Sequence, residues 1–431
     1  MKTNRRTFLS GTVASGVLAL AGPVHRGLAA GENKPLRMGV IGVGWYGMVD
    51  AKAALKVGGV EVTAVCDVDS AHLEQSVAEL DKLQGRKPQT FKRYTEMLEQ
   101  ADLDVVVIGS PPQWHALQLI ACLERGVDVY AEKPLAYDVR EGRALVEATR
   151  KHADRIVAVG FQRRQSQAFR QAAEFIRAGK AGKIVQADVQ IHYRAGTVDP
   201  TPQEPPATLD WDLWCGPGPK IPYSPQVGHR NWRLEKTSGH GHLVDWGIHN
   251  IDTLRMMLGL ATPKQITAAG GLYHLQGKIT TPDTLTVHFE FDQLPVVWRH
   301  RLWGATEWDP AISNGILFYG EEATVFAADQ RWVVIPKDQP AKREEHAAAS
   351  DLGTLHMADF LDCVRTRRPP ACSVEEAHRS TTTVQLGMIA YESNSVVRWD
   401  EAAEQIADNP AAAALLKRDY RPPYEHPYRP A

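Results

Sequence analysis

The chain has 431 residues, a formal net charge of -2, 43% hydrophobic residues and 23% charged residues. Such a length exceeds what one hydrophobic core usually serves and points to two domains, and so even a charge balance gives no argument for nucleic acid or an acidic membrane as partner. The five cysteines, Cys66, Cys122, Cys215, Cys363 and Cys372, are scattered and contain no C-x-x-C pair, so neither a zinc site nor a disulfide framework is indicated.

The first thirty or so residues read as an export signal, expected as a segment of their own (1–30). Lys2 and Arg5-Arg6 precede an apolar and small-residue run from Phe8 to Ala21, and small residues continue to Ala29-Ala30. Asn4-Arg5-Arg6-Thr7-Phe8-Leu9 resembles the twin-arginine pattern. The apolar run is well short of the ~20 residues a spanning helix needs. The expectation is a periplasmic protein exported by the twin-arginine route, without stable membrane insertion.

Leu36 to Ile41 is a short, mostly apolar run stopped by Gly42-Val43-Gly44-Trp45-Tyr46-Gly47. A buried strand entering a G-x-G-x-x-G turn and a helix is the dinucleotide fingerprint. Gly42 permits the turn, Gly44 lets backbone approach a pyrophosphate, Gly47 lets the helix sit close to the strand, and free N–H groups at the helix start face the anion. A second strand, Val60 to Cys66, ends at Asp67, where the fingerprint places a carboxylate for the ribose hydroxyls. The next residue is Val68 and not a cation, which favours NAD over NADP.

Further along, Ser70 is expected to cap a polar helix to about Asp81, and a short helix opens at Thr95. Asp104 to Gly109 and Val127 to Ala131 read as buried parallel strands, the first turned by Ser110-Pro111-Pro112 into a helix near Trp114-His115, the second followed at once by Glu132-Lys133-Pro134. A helix over Val139 to Lys151 and a strand over Ile156 to Gly160 complete the alternation. The fold class expected for 35–160 is therefore α/β, a doubly wound parallel Rossmann sheet. Past Gly160 come a helix to Ala178, a strand Lys183 to His192 and an irregular, proline-rich stretch to about Glu235 that holds Trp211, Trp214 and Trp232. A connection so long is expected to wall a pocket or reach another subunit. A run of strands between Gln265 and Ile335 and two late helices, Leu355 to Arg367 and Val374 to about Ser393, predict an α+β second domain over 161–420 with a large, mostly antiparallel open sheet. A proline-rich tail follows at 421–431.

Lys133, Asp245 and His249 form the candidate catalytic set. If Asp245 begins a helix, the i, i+4 spacing puts it and His249 on one face. Histidine titrates near neutrality and suits the proton transfer that accompanies hydride loss from an alcohol. Lys133, beside an oxidised and therefore cationic nicotinamide, would have a lowered pKa and polarise the oxygen being formed. Plainer roles stand level with these on spacing alone: a solvated strand-end charge, a helix cap and a core histidine. His240 and His242 are either substrate contacts or helix-start polar residues, and an H-x-H pair without a third ligand is poor evidence for metal.

In the same order, the glycine turn, Ser110-Pro111-Pro112 with His115, Glu132-Lys133-Pro134, Gly160-Phe161-Gln162-Arg163-Arg164 and Asp245-Trp246-Gly247-Ile248-His249 resemble the glucose-fructose oxidoreductase, inositol dehydrogenase and rhizopine-catabolism (Gfo/Idh/MocA) family from about Leu36 to the late helices. The resemblance implies that Lys133, Asp245 and His249 are the family's catalytic positions and that the peptide before Pro134 is cis. It implies cofactor contacts from Gly42, Gly44, Trp45, Tyr46, Gly47, Asp67, Ser110, Pro112, His115, Glu132 and Lys133, and substrate contacts from Gln162 and Arg163; His242, which departs from the glycine run often seen before the family's aspartate, is a candidate substrate contact from the residues alone. A structural ion pair is an equal account of Arg163. The function expected is an NAD-dependent oxidoreductase of a sugar, cyclitol or glycoside with tightly held cofactor, probed against two alternatives: a glycoside hydrolase or lyase working by transient oxidation, and a sugar-binding protein without catalysis. A homo-oligomer through the open sheet is expected.

Overall fold

The computed structural model describes residues 34–229, 231–305, 307 and 309–429. The export-signal reading lies outside them. Among the described residues no helix is long and apolar enough to cross a membrane.

The alternating half forms one six-stranded parallel sheet in the order β3-β2-β1-β4-β5-β6: β1 (Leu36–Ile41), β2 (Val60–Cys66), β3 (Gln89–Phe91), β4 (Val105–Ile108), β5 (Asp128–Ala131) and β6 (Val157–Val159). Every residue of β4, β5 and β6 is buried, as expected of parallel strands covered on both faces. One face packs on the helix Tyr46–Val57 and, from far along the chain, on Met357, Phe360, Leu361 and Val364 of the helix Leu352–Thr366. The helices His115–Glu124 and Val139–Lys151 cover the other. The register matters most for function. Ile41 pairs with Cys66 and with Ile108, Ile108 with Ala131, and Ala131 with Val159. All five strands therefore stop on one line. The residues that follow, Gly42, Asp67, Gly109, Glu132 and Gly160, stand in a row at the carboxyl edge, and the order reverses between β1 and β4, the switch point where open α/β sheets bind ligands.

The second sheet has ten strands in the order β14-β13-β12-β11-β7-β10-β9-β8-β15-β16. They are β7 (Ile184–His192), β8 (Gln265–Gly271), β9 (Thr284–Glu290), β10 (Pro295–Arg301), β11 (Asn314–Gly320), β12 (Ala323–Ala328), β13 (Arg331–Pro336), β14 (Glu344–Ala347), β15 (Val397–Asp400) and β16 (Gln405–Ala407). Only β7 and β10 run parallel. Alternation with period two buries Leu285, Val287 and Phe289 of β9, along with Val296 and Trp298 of β10, against the helices Ile248–Leu258 and Val374–Glu392.

Four short strands, β3, β14, β15 and β16, escape the periodicity reading because each is three or four residues long and carries exposed polar positions. The cap before the second helix also differs from expectation: Asp69, not Ser70, accepts the Ala71 N–H, and the helix runs Ser70–Gln84. The stretch before Glu235 is ordered around the short helix Trp211–Cys215 and a turn at Asn231–Leu234. It lies on the first domain, bonding Ser70 N–H to the Thr208 carbonyl and Asp210 N–H to the Val68 carbonyl, each at 3.0 Å. The proline-rich tail docks as well: Arg421 pairs with Asp212, His426 with Asp138, and Tyr424 meets the Trp114 ring edge-on.

Candidate functional site

At the carboxyl edge of the parallel sheet lies a cavity of about 710 Å³, walled on one side by the glycine turn and on the other by a strap formed from residues 198–229 and 231–233. Two glycines are required there. Gly42 has φ +84° and a Cβ on it would stand 2.6 Å from the Ser110 nitrogen; a Cβ on Gly47 would stand 2.1 Å from the Gly42 carbonyl oxygen. The carboxylate of Asp67 is held at the turn, its Oδ2 accepting from Val43 N–H at 2.9 Å and its Oδ1 from Asp69 N–H at 3.0 Å. Bare backbone at a helix start and an acid at the end of β2 fit a dinucleotide. Gly42, Gly44, Trp45, Tyr46, Asp67 and Ser110 line this space. Lys92 and Arg93 line it too, Lys92 engaged by Asp210 at 2.6 Å.

Beyond the cavity, Lys133 leaves the end of β5 through a cis peptide to Pro134. Its ammonium donates to the Asp245 carbonyl at 2.7 Å and to Asp245 Oδ1 at 2.9 Å, with both side chains largely buried. Asp245 occupies a π-helical turn, Leu243–Gly247, that runs into the helix carrying His249. The common neighbour of the pair is Lys133. It bonds Asp245, and its charge, after burial the largest influence, pushes the His249 pKa well below the ordinary imidazole value, with Arg163 acting the same way. His249 is therefore neutral at neutral pH. Its Nδ1 is enclosed without a hydrogen-bond partner. Burial works to raise the Asp245 carboxyl, but Lys133 and Arg233 outweigh it and hold its pKa below the usual carboxylate range.

The remaining predicted residues fall into two groups. Glu132 stays at the edge: its Oε1 accepts from Gln162 Nε2 at 2.8 Å, and burial pushes its carboxyl up to about 7 against the pull of Lys133 and Gln162. The others sit a layer deeper. Pro112 and His115 are not among the cavity-lining residues, where Pro111 stands instead. His115 is fully buried, one ring nitrogen 2.7 Å from the Pro134 carbonyl and the other 2.8 Å from the Ser110 carbonyl, so it ties the loops after β4 and β5 together. Arg163 is ion-paired to Asp329 at 2.7 Å and bonded to Asn250, the plainer of its two roles. His242 is 1% exposed, with Nε2 3.3 Å from the Ile191 carbonyl and its ring against His300, behind Asp245.

Residue-by-residue reading missed Arg233. It lines the cavity, its Nε lies 3.3 Å from Asp245 Oδ1, and its guanidinium stands over the rings of Trp45 (4.9 Å) and Trp232 (4.3 Å). The available signal was an arginine beside a tryptophan in a long connection already suspected of forming a wall. His72, 3.7 Å from Asp67 Oδ1, was missed too; nothing in an amphipathic helix pattern marks it.

Comparison with known proteins places these features. Residues 36–161 match the description "Oxidoreductase family, NAD-binding Rossmann fold", 169–325 the "GFO/IDH/MocA C-terminal domain", and 335–426 the "Oxidoreductase family, C-terminal alpha/beta domain". Among similar sequences, inositol 2-dehydrogenase of Salmonella typhimurium is 32% identical over 38% of this chain and 47% of its own length. A glycosyl hydrolase family 109 protein of Shewanella pealeana is 32% identical over 35% of this chain and 38% of its own. The chain thus matches less than half the length of these relatives. Among solved structures, myo-inositol 2-dehydrogenase from Lactobacillus plantarum superposes with a TM-score of 0.64 at 20% identity, covering 85% of this chain and 99% of that one. Levoglucosan dehydrogenase in complex with NADH and levoglucosan gives 0.66 at 17%, covering 84% and 99%.

Proposed function

Because the chain belongs to the Gfo/Idh/MocA oxidoreductase family and carries its NAD-binding Rossmann domain, we propose that it moves hydride between NAD and a hydroxyl-bearing ring carbon of a sugar, cyclitol or glycoside. One observation carries this reading: an ammonium from the cofactor edge of the first sheet, Lys133, is locked on Asp245 beside a neutral His249 from the second domain. The nicotinamide, when bound, supplies the hydride acceptor or donor. Lys133 has three N–H donors; with two spent on Asp245, the third is left to orient and polarise the substrate oxygen. His249, uncharged, takes the hydroxyl proton in oxidation and returns it in reduction. Asp245 fixes Lys133 and offers its second oxygen to a neighbouring hydroxyl. The exposed face of Trp246, between Asp245 and His249 in sequence, gives a sugar ring an apolar platform.

We also propose that NAD stays bound through turnover, because the strap that walls the cavity is bonded to the first domain at Val68, Ser70 and Lys92. Such an enzyme restores its cofactor within its own cycle, which suits the periplasmic location proposed from the N-terminal pattern. Hydrolysis of a glycoside by transient oxidation is the second reading, favoured by the likeness to the glycosyl hydrolase family 109 protein.

The test is to denature the purified protein, assay released nucleotide, and screen a panel of sugars, inositols and glycosides by nicotinamide absorbance and by product release. Lys133→Ala and His249→Ala should keep the nucleotide and lose ~10²–10⁴ in turnover. Product release without net absorbance change selects the hydrolytic reading; wild-type turnover in both variants sinks the assignment.

A further inference from the structure

Arg233 stands where the dinucleotide cavity ends and the Lys133–Asp245 pair begins. Its place is fixed by its own segment. The Arg233 carbonyl accepts from Gly241 N–H at 3.0 Å, four residues before Asp245, and the next residue, Leu234, is buried in an apolar cluster with Leu275, Ile279 and Leu302. The guanidinium is flanked by Trp232 of the strap and by Trp45. Trp45 is the N-cap residue of the helix that leaves the glycine turn, and the start of that helix is where a diphosphate is received. A planar cation held by aromatic faces at such a point is pre-organised for a bidentate anion.

We infer that Arg233 is a cofactor-binding residue delivered by the strap: it grips the diphosphate of the dinucleotide from the side opposite the glycine turn, and through Asp245 it ties cofactor retention to the alignment of Lys133. The inference rests on the dinucleotide reading of the cavity and is independent of which alcohol is oxidised. Asp245 then has an opposing effect on the same grip. Its carboxylate draws the guanidinium and offsets its charge, so removing that charge leaves more positive potential for the diphosphate.

The experiment measures binding by calorimetry on nucleotide-free protein with three probes: NAD, ADP-ribose, which keeps the diphosphate, and adenosine, which lacks it. Arg233→Gln should weaken NAD and ADP-ribose alike, by about 10- to 100-fold as for loss of a charge-assisted hydrogen bond, and leave adenosine unchanged. Arg233→Lys should recover part of the loss, and Asp245→Asn should tighten ADP-ribose. If Arg233→Gln and Arg233→Lys bind ADP-ribose like the wild type, the proposal is wrong. It is equally wrong if adenosine weakens in parallel, or if Asp245→Asn weakens ADP-ribose, because either result reduces Arg233 to a prop for the strap. A wild-type protein that binds neither NAD nor ADP-ribose would instead overturn the cavity reading itself.

Discussion

Replacing Asp245 by Asn separates the structural from the chemical work of the site. In the wild type one carboxylate oxygen serves two cations, Lys133 at 2.9 Å and Arg233 at 3.3 Å, with side-chain exposures of 6% for the acid, 11% for the lysine and 19% for the arginine. Removing the charge leaves two positive groups facing each other in a nearly dry pocket, and breaking a buried pair in this way costs about 3–5 kcal/mol. The lower end applies, because Asn keeps the backbone carbonyl that accepts from Lys133 at 2.7 Å and because Arg233 retains some water. Lys133→Met is the milder change: Asp245 keeps Arg233, and the loss is that of the charge-assisted bonds, about 1.5–3 kcal/mol. The double variant removes one cation together with the anion and should be more stable than Asp245→Asn alone. Urea unfolding of the nucleotide-free proteins, followed by tryptophan fluorescence, gives all three values in one cycle. Additive losses, or Asp245→Asn no worse than Lys133→Met, would refute the shared-carboxylate account.

Three further outcomes follow from the charges and the fingerprint. His249 should titrate below the ordinary imidazole value and its pKa should rise in Lys133→Met, where a positive neighbour is gone; NMR titration of labelled histidine, assigned with His249→Gln, reads this directly. Glu132, raised to about 7 from an ordinary 4.5 chiefly by burial, binds more protons folded than unfolded, so its contribution to stability is full below pH 4.5 and is lost as pH rises toward 7. Glu132→Gln should flatten that part of the stability profile, and an unchanged slope would count against the burial. Asp67→Ala should weaken NAD more than NADP in equilibrium binding, since the ribose hydroxyls lose an acceptor while a 2′-phosphate loses a repulsive neighbour; equal losses would remove Asp67 from the ribose site.

What could be read in advance depended on how far along the chain a contact reaches. The glycine turn and Asp67 are joined by a bond spanning 24 residues, within one strand-helix-strand unit, and their chemistry was legible because the spacing itself encodes the geometry. Lys133 and Asp245 are 112 residues apart, and no spacing rule connects them; resemblance paired them, while the residues alone left plainer roles level. Resemblance made His115 a cofactor contact, while its place rests on two backbone carbonyls, Ser110 and Pro134, that only the fold brings together. Arg233 was least visible. It lies in a stretch with neither helix nor strand period, so its position is set by Leu234 and Gly241 and not by any repeat.

The same reasoning shows why the edge of the first sheet tolerates little change. Side chains alternate faces along a strand, so a one-residue slip of β5 against β4, away from the Ile108–Ala131 pairing, would send each side chain that leaves its end to the face opposite its own. Glu132 would lose Gln162 and Lys133 would lose Asp245 in one step. The slip is opposed on both flanks, because Val129, Tyr130 and Ala131 pair also with Val157, Ala158 and Val159 of β6 and every one of these residues is buried. A run of apolar residues with no alternation does not specify register by itself. Here the buried ties do so: His115 fastens the loop after β4 to the loop after β5, and Gln162, just past β6, bonds Glu132, just past β5. Polar residues that could pass for site chemistry thus hold the strand ends level, and that alignment places Lys133 within reach of the second domain.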